Sequence, residues 1–381
     1  MKITIVSPYS FSNYGGVNAQ IVLLAQEFLK QGHEVHVDGL ADSKEVLKNQ
    51  FSNVSKQHLE DGKFMLNYLG KAIRVPANGS DANIGIRPSS LIKTLIQKFD
   101  ADIIHLHEPF VPGPTLMHLL RPKTVPIVAT FHRNGVDLLY KNYMKIAKMC
   151  SSKIDASAAV SESAKNTIES VSNLRPPILF NGINLEEFRT DTHPKEDDSV
   201  NILFVGRFEP RKGYEIFLKA MDIVNNQNSL KKTLNIKFTI VGSGNDFINH
   251  NKRYADINNV KFMSELTRDK LVEQYLKADI FVAPATSSES FGLVLLEAMA
   301  ANTALVVSDI APFRAVLKDT GLYFKVGDAE DLSKQLIELI FDKDKIRILK
   351  KVAKERVTRY SIDVLAAKYL EMFQDLLNKK S

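Results

Sequence analysis

Apolar residues fall along this chain in two kinds of pattern. The run Lys2-Ile3-Thr4-Ile5-Val6 has the β-branched content of a short buried strand. After a Ser/Tyr/Asn/Gly loop, Val17, Ile21, Leu24 and Phe28 recur at i, i+4, i+7 and i+11, the stripe of an amphipathic helix. Gly32 ends that helix, and residues 34–37 open a second strand. A β–loop–α–β unit of this kind has a right-handed crossover and therefore parallel strands. Further strands are predicted at 103–106, 125–130 and 156–160. They alternate with helical or loop stretches, so the first half reads as an open α/β sheet.

The pattern restarts at Asn201. Ile202-Leu203-Phe204-Val205 is an apolar strand, followed by a loop ending in Gly213 and a helix carrying Phe217, Ala220 and Val224. Strands at 236–241, 260–263, 280–283 and 304–307 complete a second α/β unit. Between the halves, residues 190–199 are polar, charged and contain a proline, which suits a linker. The reading is an α/β chain of two Rossmann-like domains, 1–189 and 190–361. A last helix at 362–381 buries its stripe of Leu365, Tyr369, Met372 and Leu376, and the first domain is a plausible place for it.

Composition narrows the class. The 381 residues are 44% hydrophobic, which excludes a disordered chain and fits two domains with cores of their own. Cys150 stands alone, so there is no intramolecular disulfide framework and a reducing compartment is expected. The 50 basic and 44 acidic groups give a net charge of +6, which permits an anionic ligand or membrane surface without requiring nucleic acid. No apolar run approaches the length of a spanning helix, so a cytoplasmic protein is expected.

Three loops carry candidate chemistry. In ESFGLVLLEAMA, 289–300, Ser290 is a good helix N-cap, and the free amides of Phe291, Gly292, Leu293 and Val294 would lie at the positive end of a helix dipole, a ready phosphate site. Glu289 precedes that helix and Glu297 lies about two turns in, so the two carboxylates can reach hydroxyl-bearing groups beside a phosphate. An ordinary buried helix with a capping serine and two solvated glutamates fits the same letters. In GRFEPRKG, 206–213, Arg207 and Lys212 follow a strand at the sheet edge where α/β ligands bind, whereas Arg211 reads as a solvated charge. In PYSFSNYGGV, Gly15 and Gly16 let backbone approach a ligand closely. G-x-G-x-x-G is absent there, and no phosphate-binding loop of the G-x-x-x-x-G-K type occurs anywhere. His132 follows the strand at 125–130. His105 and His107 share a strand face, but other metal-ligand candidates are missing nearby in sequence.

PYSF with GGV, DIIHLHEP, ATFH, the NGI at Asn181, VGRFEPRKG and ESFGLVLLEAMA occur in that order along the whole chain. In these motifs it resembles the retaining glycosyltransferases of family 4, which have the GT-B fold of two Rossmann-like domains facing a central cleft. Within that family it is similar to bacterial phosphatidylinositol mannosyltransferases, which transfer mannose from GDP-mannose to phosphatidyl-myo-inositol. The resemblance implies that Glu297 holds the donor ribose. Arg207, Lys212 and the amides of 291–294 would hold the diphosphate, Glu289 would read sugar hydroxyls, Gly16 would close on the diphosphate and His132 would contact the donor sugar. It assigns the acceptor to Tyr9, Asn18, Asn78, Ser80 and Arg133. No metal site and no cofactor are implied, although stimulation by a divalent cation is left open.

Several positions depart from the subgroup. Ala77 stands where the similar enzymes have tyrosine, Asn83 where they have an arginine implicated in acceptor phosphate binding, Arg133 in place of threonine, and Asn302 in place of glycine. These changes touch the acceptor side more than the donor side. A family member using a UDP-sugar and another lipid or soluble acceptor therefore remains an alternative, as do a nucleotide-sugar epimerase and a non-enzymatic nucleotide-sugar binder. A lipid acceptor would place the protein peripherally on the inner membrane face. Residues 86–99 offer apolar Leu91, Ile92, Leu95, Ile96 and Phe99 with basic Arg87, Lys93 and Lys98 for that purpose, or simply a helix packed on the first sheet.

Overall fold

The computed structural model describes residues 1–12, 15–54, 56–77, 80–84, 101–135, 148–190, 199–227, 235–244, 246–287 and 289–379, without the side chains of 56 and 73–84. The segment 86–99, Asn78 and most of the 190–199 stretch lie outside that description. The chain divides into two compact units, Met1–Gly182 with Ile362–Ser381, and Ile183–Ser361. The second unit therefore opens at Ile183, ahead of the polar stretch, because Ile183 and Phe188 belong to its core.

In the first unit, β1 (Lys2–Ser10), β2 (Glu34–Leu40), β3 (Phe64–Tyr68), β6 (Ile103–His107), β7 (Ile127–Phe131) and β8 (Ala156–Ala159) form a parallel sheet in the order β3-β2-β1-β6-β7-β8. An antiparallel hairpin, β4 (Ile73–Ala77) and β5 (Ser80–Ile84), attaches where Tyr9 pairs with Ile84. The β1 residues Ile3 and Ile5 pack with Ile21, Leu24 and Phe28 of α1 (Gly16–Lys30), while Val6 belongs to the core on the other face. That alternation is what a strand buried on both faces requires. The core against α1 is completed by Leu365, Tyr369 and Phe373 of the last helix, Ile362–Asn378, with the Phe28 and Phe373 rings edge to face at 5.8 Å.

In the second unit, β9 (Val200–Arg207), β10 (Ile236–Ser243), β11 (Val260–Met263), β12 (Ile280–Ala283), β13 (Ala304–Ser308) and β14 (Leu322–Phe324) run parallel in the order β11-β10-β9-β12-β13-β14. Leaving out the hairpin, both sheets follow the Rossmann order, in which direction reverses beside the first strand. Ligands of such sheets bind outside the carboxyl ends of the strands at that switch point. In the second unit the switch lies between β9 and β12, so the loops after Arg207 and Ala283 flank it.

Candidate active site

Those two loops are pressed together. Gly213, at φ 69°, passes from a short 3-10 turn, Pro210–Lys212, into the helix Tyr214–Asn226. A Cβ at Gly213 would stand 1.9 Å from the Pro284 carbonyl oxygen, so only glycine fits. The Thr286 N–H donates to the Arg211 carbonyl at 2.8 Å. Beyond it, the Lys212 ammonium donates to Glu289 Oε2 at 2.6 Å. Lys212 and Glu289, 77 residues apart, thus share one surface. Glu209, which the sequence reading passed over, pairs with Arg207 at 2.7 Å and with Arg211 at 2.9 Å. Arg211 is accordingly not the solvated charge expected: its side chain is 15% exposed and its carbonyl anchors the neighbouring loop. Arg207 keeps about half of its side chain in solvent.

The helix that follows begins later than the sequence suggested. It spans Leu293–Ala300, and its N-cap is Gly292 at φ 94°, not Ser290. Phe291 is buried with Tyr360 in the core, so its ring fixes the chain before the helix can start. The helical amides that lack intrahelical acceptors are those of Leu293 and Val294; Leu295 N–H already donates to the Gly292 carbonyl at 2.9 Å. One turn on, Glu297 accepts the Tyr275 hydroxyl at 2.8 Å and a guanidinium N–H of Arg268. Arg268 also donates to Glu187 at 2.8 Å. The sequence reading named none of Glu187, Arg268 and Tyr275. No local motif marks Arg268, whose partners lie 81 and 29 residues away in the chain.

The first unit gathers a second set. His132, just past β7, is buried, and its Nε2 lies 2.9 Å from Nδ1 of His107. Its backbone N–H donates to Glu108 Oε1, which also accepts the Arg133 N–H at 2.5 Å. Glu108 is buried at φ 48°, a left-handed backbone uncommon outside glycine. Burial pushes the Glu108 carboxyl up, while the two backbone donors and Arg133 pull it down. Burial holds His132 down to about 3, and holds His105 there as well with a smaller contribution from the His132 charge. His107 falls well below its usual range for the same reason, so all three rings are neutral.

The acceptor-side candidates divide. Burial, followed by the charge of Glu108, raises the Tyr9 hydroxyl, and Arg133 opposes the rise, so Tyr9 belongs to the His132 neighbourhood. Arg133 is turned onto the Gly135 carbonyl at 3.1 Å. Asn18 is engaged elsewhere, accepting from Ser7 at 2.7 Å and donating to the Ser10 carbonyl at 2.8 Å, which ties α1 to β1. Gly15 is extended at φ −133° and Gly16 begins α1, so neither needs a conformation reserved for glycine. Ser80 opens β5.

Comparison with known proteins fits this arrangement. Solved structures of a glycosyltransferase from Rickettsia africae (TM-score 0.73, 16% identity, 99% of this chain and 98% of that one) and of sucrose-phosphate synthase from Thermosynechococcus elongatus (0.72, 18%, all of both chains) share the fold. Anabaena HepE in complex with UDP and glucose superposes with a TM-score of 0.72 at 15% identity, over 99% of this chain and 100% of that one. The fold is GT-B. Residues 14–187 match the model described as Glycosyltransferase Family 4, and residues 186–356 match that of Glycosyl transferases group 1. A phosphatidyl-myo-inositol mannosyltransferase of Mycolicibacterium smegmatis is 31% identical, covering 98% of this chain and 94% of the relative. One from Mycobacterium leprae is 28% identical, over 100% and 98%. The chain belongs to glycosyltransferase family 4.

Proposed function

We propose that this enzyme transfers mannose from GDP-mannose to phosphatidyl-myo-inositol at a membrane surface, with retention of the anomeric configuration. The observation that carries the reading is the meeting of Lys212 with Glu289 beside the start of the helix Leu293–Ala300, supported by full-length similarity to enzymes of that name. Breaking the bond from the anomeric carbon to the diphosphate leaves negative charge on the departing phosphate. Lys212, Arg207 and the amides of Leu293 and Val294 are the groups suited to stabilise it. The acceptor hydroxyl oxygen forms the new bond on the same face, and its proton passes to the departing phosphate oxygen. No general-base carboxylate and no cofactor enter the chemistry. Glu297 serves the ribose, Glu289 the sugar hydroxyls and His132 the mannose.

The test is incubation with radiolabelled GDP-mannose and phosphatidylinositol vesicles, followed by lipid analysis. A labelled lipid bearing one mannose supports the reading; label that stays in water with every lipid offered overturns it. Ala77, Asn83 and Arg133 favour a second reading in which the acceptor differs. Thermal stabilisation by UDP-glucose but not by GDP-mannose would favour a different donor.

A further inference from the structure

His132 is held from two sides by two consecutive residues. His107 ends β6 and Glu108 follows it. The Glu108 carboxylate takes the backbone N–H groups of His132 and Arg133, while His107 takes the imidazole. The two rings are inclined by 24° with centroids 5.2 Å apart. With 2.9 Å between the nitrogens, that separation is about what two rings meeting nitrogen to nitrogen have, so they lie edge to edge and nearly in one plane. This is the alignment an N–H···N hydrogen bond needs.

Between two neutral imidazoles a single proton occupies that contact, and it can belong to either ring. If His132 donates from Nε2, the proton of His107 must lie on its own Nε2. That atom is buried and has no hydrogen-bond partner among the described residues. If His107 donates from Nδ1, the partnerless atom is a bare nitrogen. Orphaned buried N–H groups are rarer than under-satisfied acceptors, which favours the second arrangement. His132 then accepts at Nε2 and carries its own proton on Nδ1.

We propose that His107 and Glu108 are positioning residues for His132: Glu108 fixes its backbone, and His107 fixes its ring plane and keeps its proton on Nδ1. The inference rests on the reading of His132 as the residue at the donor sugar. In that role it presents the sugar with a hydrogen-bond donor, suited to a hydroxyl oxygen, instead of an acceptor. The left-handed backbone of Glu108 is consistent with this, because such strain persists where the surroundings over-determine it.

The test is imidazole nitrogen NMR on the full-length protein labelled at histidine, alongside transfer kinetics. In the wild type, His132 shows a protonated Nδ1 and a bare Nε2, unchanged from about pH 8 to about pH 5. His107→Phe keeps a ring but removes the hydrogen bond. The His132 signals should then move toward a tautomer mixture, and kcat should fall about tenfold to a hundredfold with little change in donor KM. His107→Asn, whose amide can reach the place of Nδ1, should restore part of both. Glu108→Gln, which keeps an acceptor for both backbone donors, should leave the His132 tautomer in place. A His132 proton on Nε2 in the wild type overturns the proposal, as do His132 signals that His107→Phe and His107→Asn leave unmoved. If His107→Phe does not fold, the tautomer of His132 in the wild type decides alone. Moved signals with unaltered transfer support the clamp and count instead against the place of His132 at the donor sugar.

Discussion

The buried, neutral rings of His105, His107 and His132 make the first unit sensitive to acid. His105 and His132 titrate at about 3 when folded, against 6.5 when free, so between those values the unfolded chain binds more protons than the native one. Stability contributed by the neutral rings is therefore complete above pH 6.5 and is lost as pH falls toward 3, at up to ~1.4 kcal/mol per pH unit for each ring. Calorimetry from neutral pH to about pH 5 should show the first unit melting progressively earlier. Glu108→Ala leaves two backbone donors without their acceptor and should cost roughly 1–3 kcal/mol for each, whereas Glu108→Gln should cost far less. At the proposed donor site, Lys212→Ala should lower kcat/KM by about a hundredfold or more while the melting temperature changes little. An unaffected rate would remove Lys212 from the diphosphate site. Arg207 and Lys212 were legible as candidates because each flanks a glycine or a strand end, and Glu289 because it stands just ahead of the helix Leu293–Ala300. Glu108 was not, since its partners lie 24 and 25 residues away and no local spacing announces them.

Strands were the most legible elements, because those of a two-faced parallel sheet are continuous apolar runs. The bounds expected at 260–263 and 280–283 are those observed. Helix starts were harder. Ser290 has the chemistry of an N-cap, but a local rule does not register that the Phe291 side chain belongs in the core. The left-handed turn at Gly292 follows from that tertiary demand. Gly213 shows the same principle at the neighbouring loop. Gly213→Ala would drive a methyl into the Pro284 carbonyl, so either the turn or the β12 loop must move. We expect a lower melting temperature for the second unit together with weakened nucleotide binding by titration calorimetry. Binding at wild-type strength would show that the two loops need not touch to hold a diphosphate.

At the scale of the molecule, the second unit begins and ends at one place. Ile183 N–H donates to the Tyr360 carbonyl at 2.8 Å, and Ile183 bridges to Ser361. In the first unit, a Cβ on Gly182 would stand 3.0 Å from the Ile362 Cα. The second unit is thus an insertion with joined ends, the arrangement that lets a domain fold on its own. Residues 183–361 expressed alone should give a cooperative thermal transition, and a chain stopped before Ile362 should lose the transition of the first unit while keeping that of the second. Two coincident losses would refute this independence. The hydrogen bond between the hydroxyls of Tyr369 and Thr130, 239 residues earlier, has a consequence for how the protein is made. A ribosome delivers the inserted unit whole before it releases the helix that seals the sheet begun at Lys2. The portion made first is therefore finished last, and until then its apolar face is open to whatever the cell offers to shield it.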